Sequence, residues 1–219
     1  MSPAALVLVA HADDETLGCG GLIASLVKRG WQLDVVIASN AQFSTRGQPV
    51  DNRAAALEAC GLLGVARERV HLLGFDDQKF DRFPIADIAN AVVALRLEPD
   101  LIVTHVDSDL NLDHRIISDV AKIVGRPRAR PVSILACEVP NTTFWNGRPF
   151  PANYFVDVSG GELEAKIAAF RCYGNELRAW PDPWSPEGIE LLARYHGMQC
   201  GLPLAEAYSV IRGYRDSLP

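Results

Sequence analysis

The stretch Ala5-Leu-Val-Leu-Val-Ala-His-Ala-Asp-Asp-Glu-Thr-Leu-Gly-Cys-Gly-Gly21 decides the fold expected for this chain. Its first residues are all apolar, and a short apolar run that ends in polar residues is typical of a buried parallel strand. The glycines are followed by apolar residues at the spacing of an amphipathic helix: Leu22, Ile23, Leu26 and Val27. The turn between strand and helix carries His11, Asp13 and Asp14. In an open α/β sheet, ligands bind at the edge where strands end and helices begin.

The rest of the chain alternates strand and helix patterns. Further strands are predicted at Gln32–Ser39, Arg69–Gly74, Leu101–His105, Val132–Cys137 and Tyr154–Val158, and a short last strand at Tyr208–Arg212. Helices are predicted from Arg53 to about Leu63, from Pro84 to about Leu97 and from about His114 to Val124, and then at Gly161–Tyr173 and Ser185–His196. The connections include a polar loop that reaches Pro49 and a basic linker, Gly125–Pro131.

Such alternation implies a parallel sheet with helices on both sides. We therefore expect an α/β protein with a Rossmann-like, mostly parallel sheet, helices on both faces and a helical C-terminal part. The pattern shows no internal repeat and no domain boundary, so residues 1–219 are expected to form a single domain.

Composition excludes several classes of protein. Hydrophobic residues make up 48% and charged residues 22% of the 219 residues, which is ordinary for a globular protein. The net charge of -6 and the lack of a basic run argue against a nucleic-acid partner. No apolar stretch approaches the length of about 20 residues that a membrane span needs. The five cysteines are widely spaced and form no C-x-x-C pair, so a reduced, cytoplasmic location is expected. The sequence leaves open whether the chain forms a homo-oligomer.

A second polar segment follows the predicted strand Leu101–His105. It contains several side chains that bind metals or protons: His105, Asp107, Asp109, Asn111, Asp113 and His114. If this strand lies next to the first one, the two polar segments meet at one crevice. His11, Asp14 and His114 would then form a three-ligand metal site with an open position for water. Asp13 would remain free to act as a general base.

The two polar segments resemble the signatures of a known family. Ala10-His-Ala-Asp-Asp-Glu15 is similar to the first signature of the LmbE/PIG-L zinc-dependent N-deacetylases, and Asp109-Leu-Asn-Leu-Asp-His-Arg115 is similar to the second. Weaker similarities cover most of the remaining chain: Arg53 with Glu58, Leu73-Gly-Phe-Asp-Asp77, Glu138-Val-Pro-Asn-Thr and Ala205-Glu-Ala-Tyr208.

The resemblance implies a fold and a reaction. The family has a Rossmann-like fold and removes N-acetyl groups from glucosamine-type sugars attached to lipids, inositol or other carriers. By position, His11, Asp14 and His114 would bind one zinc ion per chain, and a zinc-bound water would be the nucleophile. Iron or another divalent metal would suit these ligands as well. The partner would be a small N-acetylated amino sugar or a conjugate of one.

The same resemblance assigns roles to other residues. Asp13 would be the general base, and Asp113 would orient an imidazole. Arg53, Asp77 and Glu138 are the candidates for substrate binding. Arg53 is equally well explained as part of a surface or helix-packing pair, and Glu138 as the polar end of a strand.

The sequence departs from the family pattern at two positions. Ala12 stands where proline is usual, which changes only local stiffness. Asn111 stands where many members have a histidine that helps to stabilise the oxyanion. An amide N–H can donate a hydrogen bond to an oxyanion but cannot carry a proton, so Asn111 is a catalytic candidate with a narrower role.

Two other functions fit the residues. A metal-dependent phosphoesterase would use Asp107, Asp109 and Asp113 to bind a second ion. A non-catalytic module that binds a sugar or a nucleotide would keep the metal without turnover. A phosphate-binding loop at Gly18, Gly20 and Gly21 is disfavoured, because acidic residues occupy the place where phosphate would lie.

Overall fold

The first strand, β1 (Ala4–Val9), is the apolar run with which the deciding stretch begins, and it lies inside the sheet. The computed structural model describes residues 2–45, 48–127 and 130–214. The other strands are β2 (Gln32–Ser39), β3 (Gln42–Thr45), β4 (Gln48–Asp51), β5 (Val70–Phe75), β6 (Leu101–His105), β7 (Ser133–Cys137), β8 (Tyr154–Asp157) and β9 (Ala205–Arg212).

Seven of these strands form one sheet in the order β5-β2-β1-β6-β7-β9-β8. The first five strands of this order are parallel, while β9 is antiparallel to both β7 and β8. β1 lies between β2 and β6, so the chain leaves it first in one direction and later in the other. This reversal is a switch point, and it places the outlets of β1 and β6 side by side as predicted.

Helices cover both faces of the sheet, which confirms the predicted α/β class. They are α1 (Asp14–Lys28), α2 (Arg53–Leu62), α3 (Ile85–Ala94), α4 (Leu112–Val124), α5 (Glu162–Phe170) and α6 (Pro186–Cys200). Side chains alternate along β1, so that Leu6 and Leu8 belong to the core beneath α3 and α4. Val7 and Val9 face the opposite core, beneath α1, α2, α5 and α6. None of the helices in the described ranges combines the length and the apolar character that crossing a bilayer requires.

The structure differs from the sequence prediction in one connection and at the start of the last strand. The segment predicted as a polar loop forms the antiparallel hairpin β3–β4, whose strands lack the apolar alternation that identifies a half-buried strand. The basic linker Gly125–Pro131 includes residues 128–129, which lie outside the described residues. The last strand is longer than predicted, because its first residues, Ala205 to Ala207, are buried where β9 pairs with β8.

Helix α1 changes direction at Cys19, whose φ of -151° and ψ of 23° are not helical. The second part of the helix therefore begins with unpaired backbone N–H groups. Glu206 on β9 accepts the N–H groups of Gly21 and Leu22, at 2.9 and 2.7 Å. The same buried carboxylate accepts hydrogen bonds from Lys166 at 2.7 Å and from the Tyr208 hydroxyl at 2.6 Å. The C-terminal strand thus fixes the second part of α1.

Candidate metal centre and active site

Three potential metal ligands lie at the switch point. His11 follows β1, Asp14 begins α1, and His114 lies in the first turn of α4; all three are buried. Among the described residues they form the one group of metal-binding side chains whose ligand atoms converge. His114 Nε2 lies 3.3 Å from His11 Nδ1 and 3.4 Å from Asp14 Oδ1, and His11 Nδ1 lies 3.5 Å from Asp14 Oδ2. Ligands about 2.0–2.1 Å from a tetrahedral zinc ion are separated by about 3.3–3.4 Å, so these spacings suit such an ion, with each oxygen of Asp14 facing one imidazole.

The charge around His11 also suits a cation. Burial lowers the pKa of His11, but the hydrogen bond to Asp113 and the negative charge of Asp14 and Asp77 outweigh it, and the pKa is raised well above its usual value. The carboxylates thus place strong negative charge at the imidazole. A divalent cation among these side chains would be stabilised by the same charge.

Adjacent aspartates have opposite electrostatic environments. Burial and the charges of Asp14 and Glu15 raise the pKa of Asp13 well above its usual range. Burial also opposes the ionised form of Asp14, but the facing imidazoles of His114 and His105 outweigh it and hold the pKa of Asp14 well below its usual range. Asp14 is therefore suited to remain an anionic ligand, and Asp13 is suited to gain and lose a proton.

Carboxylates lie behind both imidazoles. Asp113 Oδ2 lies 3.1 Å from His11 Nε2, and its other oxygen accepts the N–H of Phe80 at 3.1 Å. Asp109 Oδ2 lies 3.3 Å from His114 Nδ1. Each carboxylate therefore faces the ring nitrogen that points away from the other ligands, which is the arrangement that fixes the orientation of a metal-binding histidine.

His105 supports the cluster without joining it. Its ring stacks on that of His114, with centroids 3.9 Å apart and planes 13° from parallel. Its Nε2 accepts the backbone N–H of Ala10 at 2.9 Å. Burial and the neighbouring charge of His114 lower the pKa of His105 to about 4, so at neutral pH it is an uncharged support for the ring of His114.

A cavity of about 230 Å³ opens onto the cluster. Three other predicted site residues line it: Asp13, Asp77 and Asn111. The Asn111 side-chain oxygen caps α4 by accepting the Asp113 N–H at 2.9 Å. Its amide nitrogen remains available as a donor and lies 3.3 Å from the side-chain oxygen of Gln78. The Asn111 amide therefore caps α4 with its oxygen and offers its nitrogen as a donor at the cavity.

Arg53 and Glu138 do not line this cavity. The Arg53 guanidinium is exposed at the start of α2 and binds Asp51 at 2.5 Å. Glu138 lies 2.5 Å from His196 Nε2, at the base of a neighbouring groove of about 950 Å³. Trp184 lines the metal cavity and donates its indole N–H to Pro140 at 2.7 Å, on the loop that borders the groove. The structure thus separates these two substrate-binding candidates from Asp77, and their role stays a prediction.

Sequence reasoning missed several residues of the cavity wall. Gln78 follows the predicted Asp77 and contacts both His11 and Asn111, each at 3.3 Å. Glu176 comes from the segment between α5 and α6. These residues belong to irregular connections, where no periodicity indicates which side chain turns inward. The proximity of Gln78 to a predicted site residue was the one available signal.

The carboxylates suggested for a second ion do not converge. Asp107 is exposed and pairs with Lys122 at 3.0 Å. Asp109 accepts hydrogen bonds from the hydroxyl groups of Thr142 and Thr143, at 3.0 and 2.9 Å. Asp113 faces His11. Two-metal sites hold their ions about 3.5–4 Å apart, and these three side chains point to three different partners. This geometry does not favour the phosphoesterase.

Comparison with known proteins assigns the chain to a family. The sheet order and the helices on both faces define a Rossmann-like α/β protein of the LmbE type. Residues 6–124, more than half of the chain, match the PIG-L family, described as GlcNAc-PI de-N-acetylase, and the chain belongs to that family. The resemblance seen in the two signatures is thereby confirmed.

Individual relatives are more distant. The chain is 25% identical over 232 residues to the diacetylchitobiose deacetylase of Thermococcus kodakarensis, covering 95% of this chain and 83% of the relative. The N,N'-diacetylchitobiose deacetylase of Pyrococcus horikoshii has a TM-score of 0.77 at 18% identity, covering 99% of this chain and 89% of its own. The 4-carboxy-2-hydroxymuconate hydratase GalB of Pseudomonas putida KT2440 has a TM-score of 0.73 at 21% identity, covering 97% of both chains. A deacetylase and a hydratase share this fold, so the fold alone does not specify the reaction.

Proposed function

We propose that the protein is a metal-dependent hydrolase that removes an N-acetyl group from an amino sugar or an amino-sugar conjugate. One observation carries the proposal. Ligand atoms of His11, Asp14 and His114 converge within 4.8 Å of one another. They border a cavity that is also lined by Asp13, whose carboxylate accepts no hydrogen bond from any described residue. An ion site and an unengaged base side by side are what amide hydrolysis by water requires.

The proposed metal centre consists of His11, Asp14 and His114. A divalent ion bound there supplies a Lewis acid that polarises the acetamide carbonyl and makes water more acidic. Zinc is the proposed ion, although two imidazoles and one carboxylate would also accept iron or cobalt. Asp113 would keep the Nε2–H of His11 in place, so that Nδ1 faces the ion.

The chain's own residues would then move the proton and hold the developing charge. Asp13 would take the proton from the attacking water, because its raised pKa brings it nearer to the operating pH than that of an ordinary aspartate. Asn111 would donate an amide N–H to the oxyanion. Asp13 would return its proton to the amine that leaves. Asp77, which lines the same cavity, is proposed to contact the sugar.

The cavity limits what enters. Its volume of about 230 Å³ is below the range of about 300–1,000 Å³ usual for drug-sized ligands. We therefore expect the acetamido group and its ring to enter while the remainder of a conjugate lies outside. The relatives named as diacetylchitobiose deacetylases make N,N'-diacetylchitobiose the first substrate to test. A cytoplasmic location is proposed as well, which the five free thiols support.

The proposal is tested by metal content and amine release together. Elemental mass spectrometry of the purified, metal-loaded protein should find one divalent ion per chain. His114→Ala should lose this ion and the activity. His71→Ala is the matched control, since His71 pairs with Asp34 outside the cavity, and it should keep both. Release of free amine from N,N'-diacetylchitobiose or N-acetylglucosamine should accompany the bound metal.

Three outcomes would contradict the proposed function, each in a different way. Two ions per chain with phosphate release from a phosphoester would indicate the phosphoesterase. Tight binding of an acetylated sugar without amine release would indicate the binding module. Equal metal content in His114→Ala and wild type would show that the cluster is not the metal centre.

A further inference from the structure

Asp13 has a backbone conformation that residues other than glycine rarely adopt. Its φ is 133° and its ψ is -29°, although the residue carries a full side chain. Such conformations persist only where surrounding contacts hold them, and they concentrate at functional sites. The direction of the Cα–Cβ bond depends on φ, so relaxation of this backbone would turn the carboxylate away from its place in the cavity.

The contact that holds the N–H of this residue comes from Glu15. Glu15 Oε2 accepts the backbone N–H of Asp13 at 3.0 Å. On the other side, the Asp13 carbonyl accepts the N–H groups of Thr16 and Leu17, at 3.0 and 2.9 Å. The peptide groups before and after Asp13 are thus both fixed, the first by a side chain and the second by the helix.

Glu15 is held in turn by two hydroxyl groups. Its Oε1 accepts hydrogen bonds from Tyr173 at 2.6 Å and from Thr16 Oγ1 at 2.7 Å. Glu15 and Tyr173 are both fully buried, with 0% exposure. Tyr173 follows α5, so the contact links the C-terminal half of the chain to the turn after β1. One oxygen of Glu15 thus accepts the hydrogen bond from Asp13, and the other accepts those from the two hydroxyl groups.

We propose that Glu15 and Tyr173 are positioning residues that orient the Asp13 carboxylate toward the reacting atoms. Neither side chain lines the cavity, so both act through Asp13. The inference rests on the proposed function, because it takes Asp13 as the general base.

Tyr173→Phe is the first test, because it removes one hydroxyl and keeps the buried ring. We expect kcat for amine release from N,N'-diacetylchitobiose to fall by about tenfold, as the loss of a hydrogen bond to a charged group predicts. KM and the metal content should stay unchanged. Glu15→Gln should lower kcat further, since its amide has only one oxygen to accept three donors.

Tyr208→Phe is the matched control. Tyr208 is equally buried, and its hydroxyl also lies 2.6 Å from a buried glutamate, but this glutamate holds the second part of α1. We expect this variant to keep the wild-type kcat. Equal falls of kcat in Tyr173→Phe and Tyr208→Phe would overturn the inference, because the effect would then reflect the stability of α1 alone. An unchanged kcat in Tyr173→Phe would overturn it as well.

A second readout does not depend on turnover. In the wild type, the amide proton of Asp13 should exchange slowly with solvent, as followed by NMR. Exchange should become faster in Tyr173→Phe but not in Tyr208→Phe. The three proteins could show this pattern of exchange while the wild type releases no amine from any acetylated sugar. In that case the proposed function is wrong and the positioning contact stands. If exchange is the same in all three proteins, the positioning inference is wrong by itself.

Discussion

At the scale of single residues, the adjacent carboxylates Asp13 and Asp14 have different electrostatic environments. Asp13 and Asp14 have the same side chain, yet their pKa values move in opposite directions. The imidazoles of His114 and His105 outweigh burial at Asp14, whereas burial and the charges of neighbouring carboxylates outweigh His11 at Asp13. The direction of each side chain follows from the unusual backbone of Asp13 at the start of α1. In the proposed mechanism, a one-residue change of position in this turn is therefore enough to separate the metal ligand from the general base.

Asp13→Asn should keep the metal and lose most of the activity. Asparagine tolerates positive φ better than most residues, so the turn should survive, but the amide cannot take a proton. We expect kcat to fall by about 10²–10⁴-fold, the usual contribution of general-base catalysis. Steady-state kinetics and elemental analysis measure both quantities. Asp107→Asn, on an exposed carboxylate bound to Lys122, is the control and should be unaffected.

Asn111→Ser separates the two uses of the asparagine amide. Serine is as good an N-cap as asparagine, so the thermal stability should change little. The amide donor is lost, and we expect kcat to fall by about 10²-fold, as removal of one oxyanion donor typically does. Calorimetry and kinetics on the same preparation decide the matter. A fall in stability with unchanged kcat would limit Asn111 to capping.

At the scale of elements, the glycines of α1 allow close packing. A Cβ at Gly21 would lie 2.7 Å from Val158 Cγ1 and 2.9 Å from the Glu206 carboxylate carbon. A Cβ at Gly18 would lie 2.6 Å from Cys137 Sγ. These positions bring α1 against the strands and the segment before α5, which explains the glycines without a phosphate ligand.

Gly21→Ala should destabilise the fold by about 1–3 kcal/mol, the usual effect of overpacking a core. Gly61→Ala is the matched control, because a Cβ there would have nothing within 4 Å. Alanine favours the helix over glycine by roughly 0.5–1 kcal/mol, so the control should be slightly more stable than the wild type. Urea unfolding measures both changes. Equal stability of the two variants would contradict the packing argument.

The elements that sequence predicted best are the buried ones. The strand Gln32–Ser39 and the strand Leu101–His105 have the predicted bounds, because each is a nearly continuous apolar run inside a sheet covered on both faces. The hairpin β3–β4 was missed, since its residues are polar and largely exposed. Site residues, too, were predicted where they belong to regular elements and missed where they belong to irregular connections. His11 and His114 lie at the ends of regular elements, whereas Gln78 and Glu176 belong to connections whose path depends on the whole fold.

At the scale of the whole molecule, the pair Glu138–His196 connects the end of β7 to α6. Burial lowers the pKa of His196, but the hydrogen bond and the charge of Glu138 outweigh it, so the pKa is raised above the ordinary value of 6.5. The folded protein therefore binds this proton more tightly than the unfolded chain does. The resulting stabilisation is fully present below about pH 6.5 and is lost as the pH rises through the raised pKa.

His196→Gln should remove this dependence. Urea unfolding of wild type and variant between pH 6 and pH 9 gives the difference in the free energy of unfolding at each pH. The difference should be greatest at the acidic end and should shrink as the pH rises. A difference that stays constant over this interval would show that the imidazolium contributes nothing to stability.

The position of β9 has a consequence for the newly made chain. Within residues 2–214, β9 is the last regular element along the chain, yet it lies between β7 and β8, and its Glu206 holds the second part of α1. Until β9 leaves the ribosome, β7 has an open edge of the kind that promotes aggregation. Translation must therefore pass β9 before the second part of α1 acquires these hydrogen bonds. A nonsense mutation just upstream of the codons for Ala205–Arg212 would thus be as damaging as an early one.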